Sequence, residues 1–217
     1  MKKFNEDDII KELQKIHDQI DQAPLDYEKA KQQFVENTKK LGLKHAFTFD
    51  EAWENLLQIR EKIKFRNYIT KLEEEMQDNP NCLTGKEMVK LNPLKHSFAD
   101  GCYIREVFNP AGEFIVTKIH KVKHPFFLMK GKMSILTEKG IEHIEAPYHG
   151  ITTPGTKRII HSHTDCVFIT VHATEHTDIK TIEKEIIAES FNDSAIQQED
   201  LKHFKKLLKS TNKKQIN

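Results

Sequence analysis

Apolar residues recur every three to four positions through the first ~80 residues, and that spacing predicts helices. Ile9, Ile10, Leu13, Ile16 and Ile20 fall on one face of a helix over residues 6–22. Pro24 interrupts it, because the residue before a proline avoids helical backbone. A second helix runs from a cap at Asp26 to about Leu41, with Gly42 as its stop. A third, capped by Thr48 or Asp50, carries Trp53, Leu56, Leu57, Ile59, Ile63, Phe65 and Ile69. It turns acidic at Glu73-Glu74-Glu75 and ends near Asn79-Pro80. Each helix has one apolar stripe, which suits a small bundle or an oligomerising arm.

Residues 81–100 form a transition rich in Asn, Pro and Gly, and the period then changes. Residues 102–108, 113–120, 126–129, 132–137, 140–146 and 166–172 are short apolar or alternating runs. Turn residues separate them, among them Asn109-Pro110, Lys130-Gly131, Lys139-Gly140, Pro154-Gly155 and Thr164-Asp165. Many short strands at such intervals indicate a sandwich or barrel. Helical spacing returns after Thr177, over residues 178–188 and again from Asp200 to about Lys209. The fold class expected is α+β. A helical region over 1–80 and a transition over 81–100 precede a β-barrel over 101–176, and C-terminal helices with a basic tail fill 177–217.

Composition narrows the function. Among 217 residues, Lys+Arg number 34 and Asp+Glu 33, a net charge of +1 that points to no polyanion partner. The six tail lysines between Lys202 and Lys214 read as a solvated face, so nucleic acid is disfavoured. No run of about 18 apolar residues suggests a membrane helix, and the first residues lack a signal-peptide core. The cysteines, Cys82, Cys102 and Cys166, are odd in number and far apart, which fits a reducing compartment rather than a disulfide scaffold.

The candidate chemistry lies between Gly112 and His172. Lys118, His120, His124 and Gly131 are spaced as Lys-x-His-x3-His-x6-Gly, and Pro154-Gly155-Thr156-Lys157-Arg158 follows. Over residues 95–175 this pattern resembles the cupin superfamily, whose fold is a double-sheet jelly roll. The family's first motif holds a metal with His-x-His and a Glu, and its second with one more His. In this chain Lys118 stands for the first His, His120 keeps the second, His124 stands for the Glu and Arg158 replaces the last His. Ser162 takes a position usually held by Asn.

These exchanges leave three readings open. In the first, the barrel binds a catalytic metal through His120, His124 and His172. Phe168, Thr170 and His172 share one strand face. If a hairpin turns at Thr164-Asp165, Arg158 lies opposite Thr170 and His172 reaches the site. His163 then sits near the tip, about 15 Å away at ~3.3 Å per residue. Such sites take Fe, Mn, Ni or Zn, and the family's reactions include dioxygenation, isomerisation and epimerisation. In the second, the pocket is metal-free and lined by Lys118, His120, His124 and Arg158, a cationic lining that favours a phosphate, carboxylate or nucleotide. In the third, these residues hold no ligand.

The run from Lys118 to His124, with Ala146-Pro147, Pro154 to Arg158, His163-x-Asp165 and Thr170-Val171-His172, also resembles small cupin-like proteins of tailed phages that lack an assigned activity. That resemblance implies a host-cytoplasmic or virion location and a small-ligand or metal-binding barrel. An enzyme and a structural or assembly protein are the alternatives, and capture of a nucleotide signal is a fourth. Barrel sheets and N-terminal helices would make a homo-oligomer.

Overall fold

A computed structural model describes residues 26–41, 48–80 and 82–199. The helix expected over 6–22, Pro24, Gly42, and the last helix with its basic tail lie outside the described residues, as do the side chains of Leu56 and Ile59. The chain divides into two compact units, residues 1–64 with 205–217 and residues 65–204.

In the first unit, α1 (Tyr27–Leu41) starts where expected. The Asp26 carboxylate accepts from the Lys29 amide at 3.0 Å and satisfies one of the free N–H groups of the first turn. The next helix, α2 (Phe49–Gln77), opens on a reciprocal cap. The Glu51 amide donates to Thr48 Oγ1 at 3.2 Å, and the Thr48 amide donates to Glu51 Oε2 at 2.9 Å. Of the two caps expected, Thr48 does the work. Tyr27, Phe49 and Trp53 meet edge to face, with centroids 5.3 Å apart in two of the pairs.

The second unit begins within α2. After the short α3 (Gly85–Leu91) come ten strands: β1 (Leu94–Ala99), β2 (Cys102–Asn109), β3 (Phe114–Val116), β4 (Ile119–His120), β5 (His124–Lys130), β6 (Lys132–Thr137), β7 (Gly140–Glu145), β8 (Tyr148–Thr152), β9 (Ile159–Ser162) and β10 (Cys166–Ala173). Helix α4 (Ile179–Ile186) and β11 (Ile187–Ala188) follow. One antiparallel sheet has the order β1-β2-β10-β5-β8 and the other β3-β9-β6-β7. Apart from the hairpins β1-β2 and β6-β7, the chain crosses repeatedly between these two sheets, which makes this a jelly roll. Residues 81–100, read as a transition, hold α3 and the edge strand β1.

Alternation along each strand fills the space between the sheets. Val107, Phe126, Leu128 and Phe168 come from the first sheet, and Met133, Ile135, Ile144 and Ile160 from the second. Leu128 and Met133 are fully buried, worth about 2 kcal/mol each in apolar area removed from water. Gly131 carries the chain from β5 in one sheet to β6 in the other, with φ +93°. A Cβ there would lie 2.4 Å from the Asp165 carbonyl and 2.6 Å from Cys166 Sγ. Only glycine permits both the turn and this close approach.

The turn at Thr164-Asp165 makes another such crossing. It joins β9 in one sheet to β10 in the other, so these strands are not hairpin partners. That corrects the hairpin expected from the sequence. Arg158 does not pair with Thr170; β10 instead pairs with β2 and β5.

The second sheet is buried on its outer face as well. Phe65 and Ile69 of α2 pack on Ile159, with Phe114, Val116 and Leu136 around them. The Lys157 ammonium, 6% exposed, pairs with Glu73 of α2, which is 35% exposed. At the other end, the Asp178 side chain caps α4 by accepting from the Thr181 amide at 2.8 Å. Ile182 and Ile186 of α4 pack against Tyr103 and Val122. β11 then pairs with β4, setting Ile187 opposite His120.

Candidate metal centre

β5 and β10 lie side by side, and their register sets Thr170 opposite Phe126. Two residues further in each direction, His172 stands opposite His124 on the same inward face. Their rings are 4.1 Å apart. β4 brings His120 to the same place, 4.4 Å from the His124 ring and 6.0 Å from that of His172. His120 is pinned by its backbone, which accepts from the Gly155 amide at 2.8 Å and donates to the Thr156 carbonyl at 3.2 Å. One ligand nitrogen from each of the three rings lies within 4.8 Å of the others.

The hydrogen bonds define which nitrogens face inward. His124 Nδ1 donates to the Val122 carbonyl at 3.0 Å, leaving Nε2 as the bare acceptor. His172 Nε2 meets Thr170 Oγ1 at 3.2 Å, leaving Nδ1. His120 Nδ1, His124 Nε2 and His172 Nδ1 are all buried and have no hydrogen-bond partner. Thr152 Oγ1, on β8 opposite His124, is a further buried atom without a partner. Buried polar atoms normally find partners, so a cluster of orphans marks a place for a bound group.

Electrostatics keep the rings neutral. Burial, then the neighbouring histidines and then Arg158 and Arg105, push His120 down to about 2. Burial followed by His124 and Arg105 lowers His172 to about 3. Burial also lowers His124, and Arg158 adds to it against the opposing bond to Val122. Neutral imidazoles offer the lone pairs a metal needs. Two nitrogens on one ion at ~2.1 Å are about 3.0–3.4 Å apart at cis-octahedral or tetrahedral angles, so nitrogens up to 4.8 Å apart would close by up to about 1.8 Å to share one.

Of the cationic residues singled out from the sequence, the structure brings in one. Arg158 stacks its guanidinium over the buried Phe126 ring, 4.8 Å from its centroid. Its backbone is held from both directions by Thr117, through bonds of 2.9 Å. Lys118 is not at the site: its side chain is 68% exposed and pairs with Glu183 at 3.9 Å. The strand breaks between Val116 and Ile119, so Lys118 and His120 do not share a face despite their spacing. His161 and His163 gather elsewhere, with His163 Nε2 2.5 Å and His143 Nδ1 2.7 Å from Ser134 Oγ.

Sequence reasoning missed Arg105 and Tyr103. On β2 the inward set is Tyr103, Arg105 and Val107, opposite His172, Thr170 and Phe168. Tyr103 stacks on His172 at 6.0 Å, and its hydroxyl meets His96 Nδ1 at 2.8 Å. The available signal was an arginine between two buried residues of an alternating strand.

No family model matches the sequence, and no curated protein matches it. Solved structures are similar to the barrel. A cupin-2 domain containing protein from Shewanella frigidimarina is 12% identical, over 37% of this chain and 79% of that one, with a TM-score of 0.33. An RmlC-like cupin family protein with a double-stranded β-helix fold, from Methanocaldococcus jannaschii, is 16% identical over 42% and 88%, with a TM-score of 0.34. An acetylacetone dioxygenase from Acinetobacter johnsonii is 22% identical over 38% and 58%, with a TM-score of 0.31. The likeness is one of cupin-type fold, and the jelly roll itself stands on its strand order and register.

Proposed function

We propose that the barrel binds one divalent transition-metal ion through His120 Nδ1, His124 Nε2 and His172 Nδ1. The observation that carries this reading is the set of three partnerless, buried nitrogens converging from three strands. An all-nitrogen set of neutral ligands suits Fe(II), Mn(II), Ni(II) or Zn(II). When bound, such an ion supplies a Lewis acid to a ligand oxygen at the positions that three protein donors leave open. The chain's own part is positional. The Val122 carbonyl and Thr170 Oγ1 fix the ring orientations of His124 and His172, the outer contacts that tune metal ligands. His124 stands where the resemblance places a carboxylate, so the site gains no negative charge from the protein. A catalytic role follows only if that ion turns over a ligand.

Elemental analysis of protein produced without a histidine tag tests the reading. One ion per chain is expected, reduced to background in His124→Ala and His172→Ala. Wild-type protein that retains none of the four metals after separate loading and dialysis would overturn it.

A further inference from the structure

Both arginines of the barrel interior lie without an acidic partner. Arg105 projects inward between Tyr103 and Val107, and Arg158 lies against the Phe126 ring. Thr170 separates them in register, opposite Arg105 on one side and Phe126 on the other. The two side chains thus come from positions on either side of Thr170, and both act electrostatically on His120 of the triad. Two of the acids that act on them have partners of their own. Glu183, near Arg105, pairs with Lys118, and Glu142, near Arg158, accepts from the Tyr148 hydroxyl at 2.6 Å. Glu138 is the other acid acting on Arg158. Among the described residues, neither arginine has a carboxylate within 4.0 Å.

We infer that Arg105 and Arg158 form an oxyanion subsite beside the histidine triad, and that the ligand is a small acid carrying a carboxylate or a phosphate. Sequestered guanidiniums without a counter-charge are costly, and a carboxylate or phosphate, with two oxygens set to meet a guanidinium fork, is the group their donors match. Burial lowers the pKa of both arginines, the direction expected for cations awaiting a partner. A metal held by three neutral imidazoles would add a charge that no protein carboxylate offsets, which strengthens the demand for an anion. The inference rests on the reading of the same site as a metal centre, whose ion the oxyanion would also reach. The Arg pair itself acts with or without the ion.

The test is calorimetric titration of chelator-treated full-length protein, with the chelator removed, at low ionic strength. Malonate, methyl phosphate and neutral malonamide are the probes. Wild type should bind malonate or methyl phosphate and not malonamide, and the arm that responds identifies the acid. Arg105→Met and Arg158→Met should each weaken binding at least about tenfold, the worth of a lost charge-assisted contact. Arg158→Lys, which keeps the charge and loses the fork, should show a similar loss and guards against a misfolded Met variant. Binding that is equal in wild type and the arginine variants, equal for malonamide, or absent for both anions at millimolar concentration would overturn the inference. Because these titrations contain no metal, a failed metal reading leaves their outcome unaffected.

Discussion

Acidification should destabilise the metal-free barrel through its own histidines. The folded-state pKa values of His120 and His172 are lowered to about 2 and about 3, and that of His124 is lowered too. An unfolded histidine titrates near 6.5. The stability conferred by a lowered pKa is therefore complete above pH 6.5 and is lost as the pH falls from there toward the folded values, because only the unfolded chain takes up protons. At pH 5.5 His120 and His172 each cost up to about 1.4 kcal/mol relative to neutral pH. His172 is 1% exposed and should show the full effect, and His124 adds to it in the same direction. His120 is less buried and is discounted for solvent screening, so the loss should be at least about 2 kcal/mol. Urea unfolding in EDTA at pH 7.5, 6.5 and 5.5 reads this directly. His172→Gln should remove about 1.4 kcal/mol of that loss. Equal stability at pH 7.5 and 5.5, or the same loss in the variant, would refute the argument.

Two further outcomes follow from the packing. Glu73→Gln should cost about 3 kcal/mol, since it leaves the 6%-exposed Lys157 ammonium unpaired, whereas Lys157→Met should cost about 1 kcal/mol because the 35%-exposed Glu73 still reaches water; denaturant midpoints give the order, and the reverse order would be wrong for this burial. A Cβ at Gly150 would meet the Phe126 ring at 2.6 Å, so Gly150→Ala should cost about 1–3 kcal/mol in thermal unfolding and, by shifting the ring beneath Arg158, weaken malonate binding; an unchanged melt would count against both.

The parts of the fold legible in the sequence are those with a local cause. α1, α2 and α4 have side-chain caps, and they lie where expected. Turns that require glycine, above all Gly131, were equally readable. β1 was not: it is an edge strand with no fully buried residue, so it carries little alternation. β8 and β9 are short and follow Pro147 and Pro154-Gly155, which hide them behind turn signals. The histidines were found because spacing and strand alternation survive any topology. His172 reached the site by pairing with β5, not by the hairpin that suggested it. Lys118 was misplaced because a two-residue break inverted the face, and Arg105 was missed because it lies outside the metal motifs. Nothing in the fold bears on the likeness to phage proteins.

The pairing of β11 with β4 ties the site to the order in which the chain is made. His120 is synthesised early, yet its strand partner Ile187 comes after all ten strands and α4. His172 likewise arrives late, on the strand that inserts between β2 and β5 at the centre of its sheet. A nascent chain that ends before Ala188 therefore has His120 on β4 without its partner β11. The constellation is complete only once the segment beyond the barrel has paired with β4, so a ligand held by all three histidines would be taken up after that step.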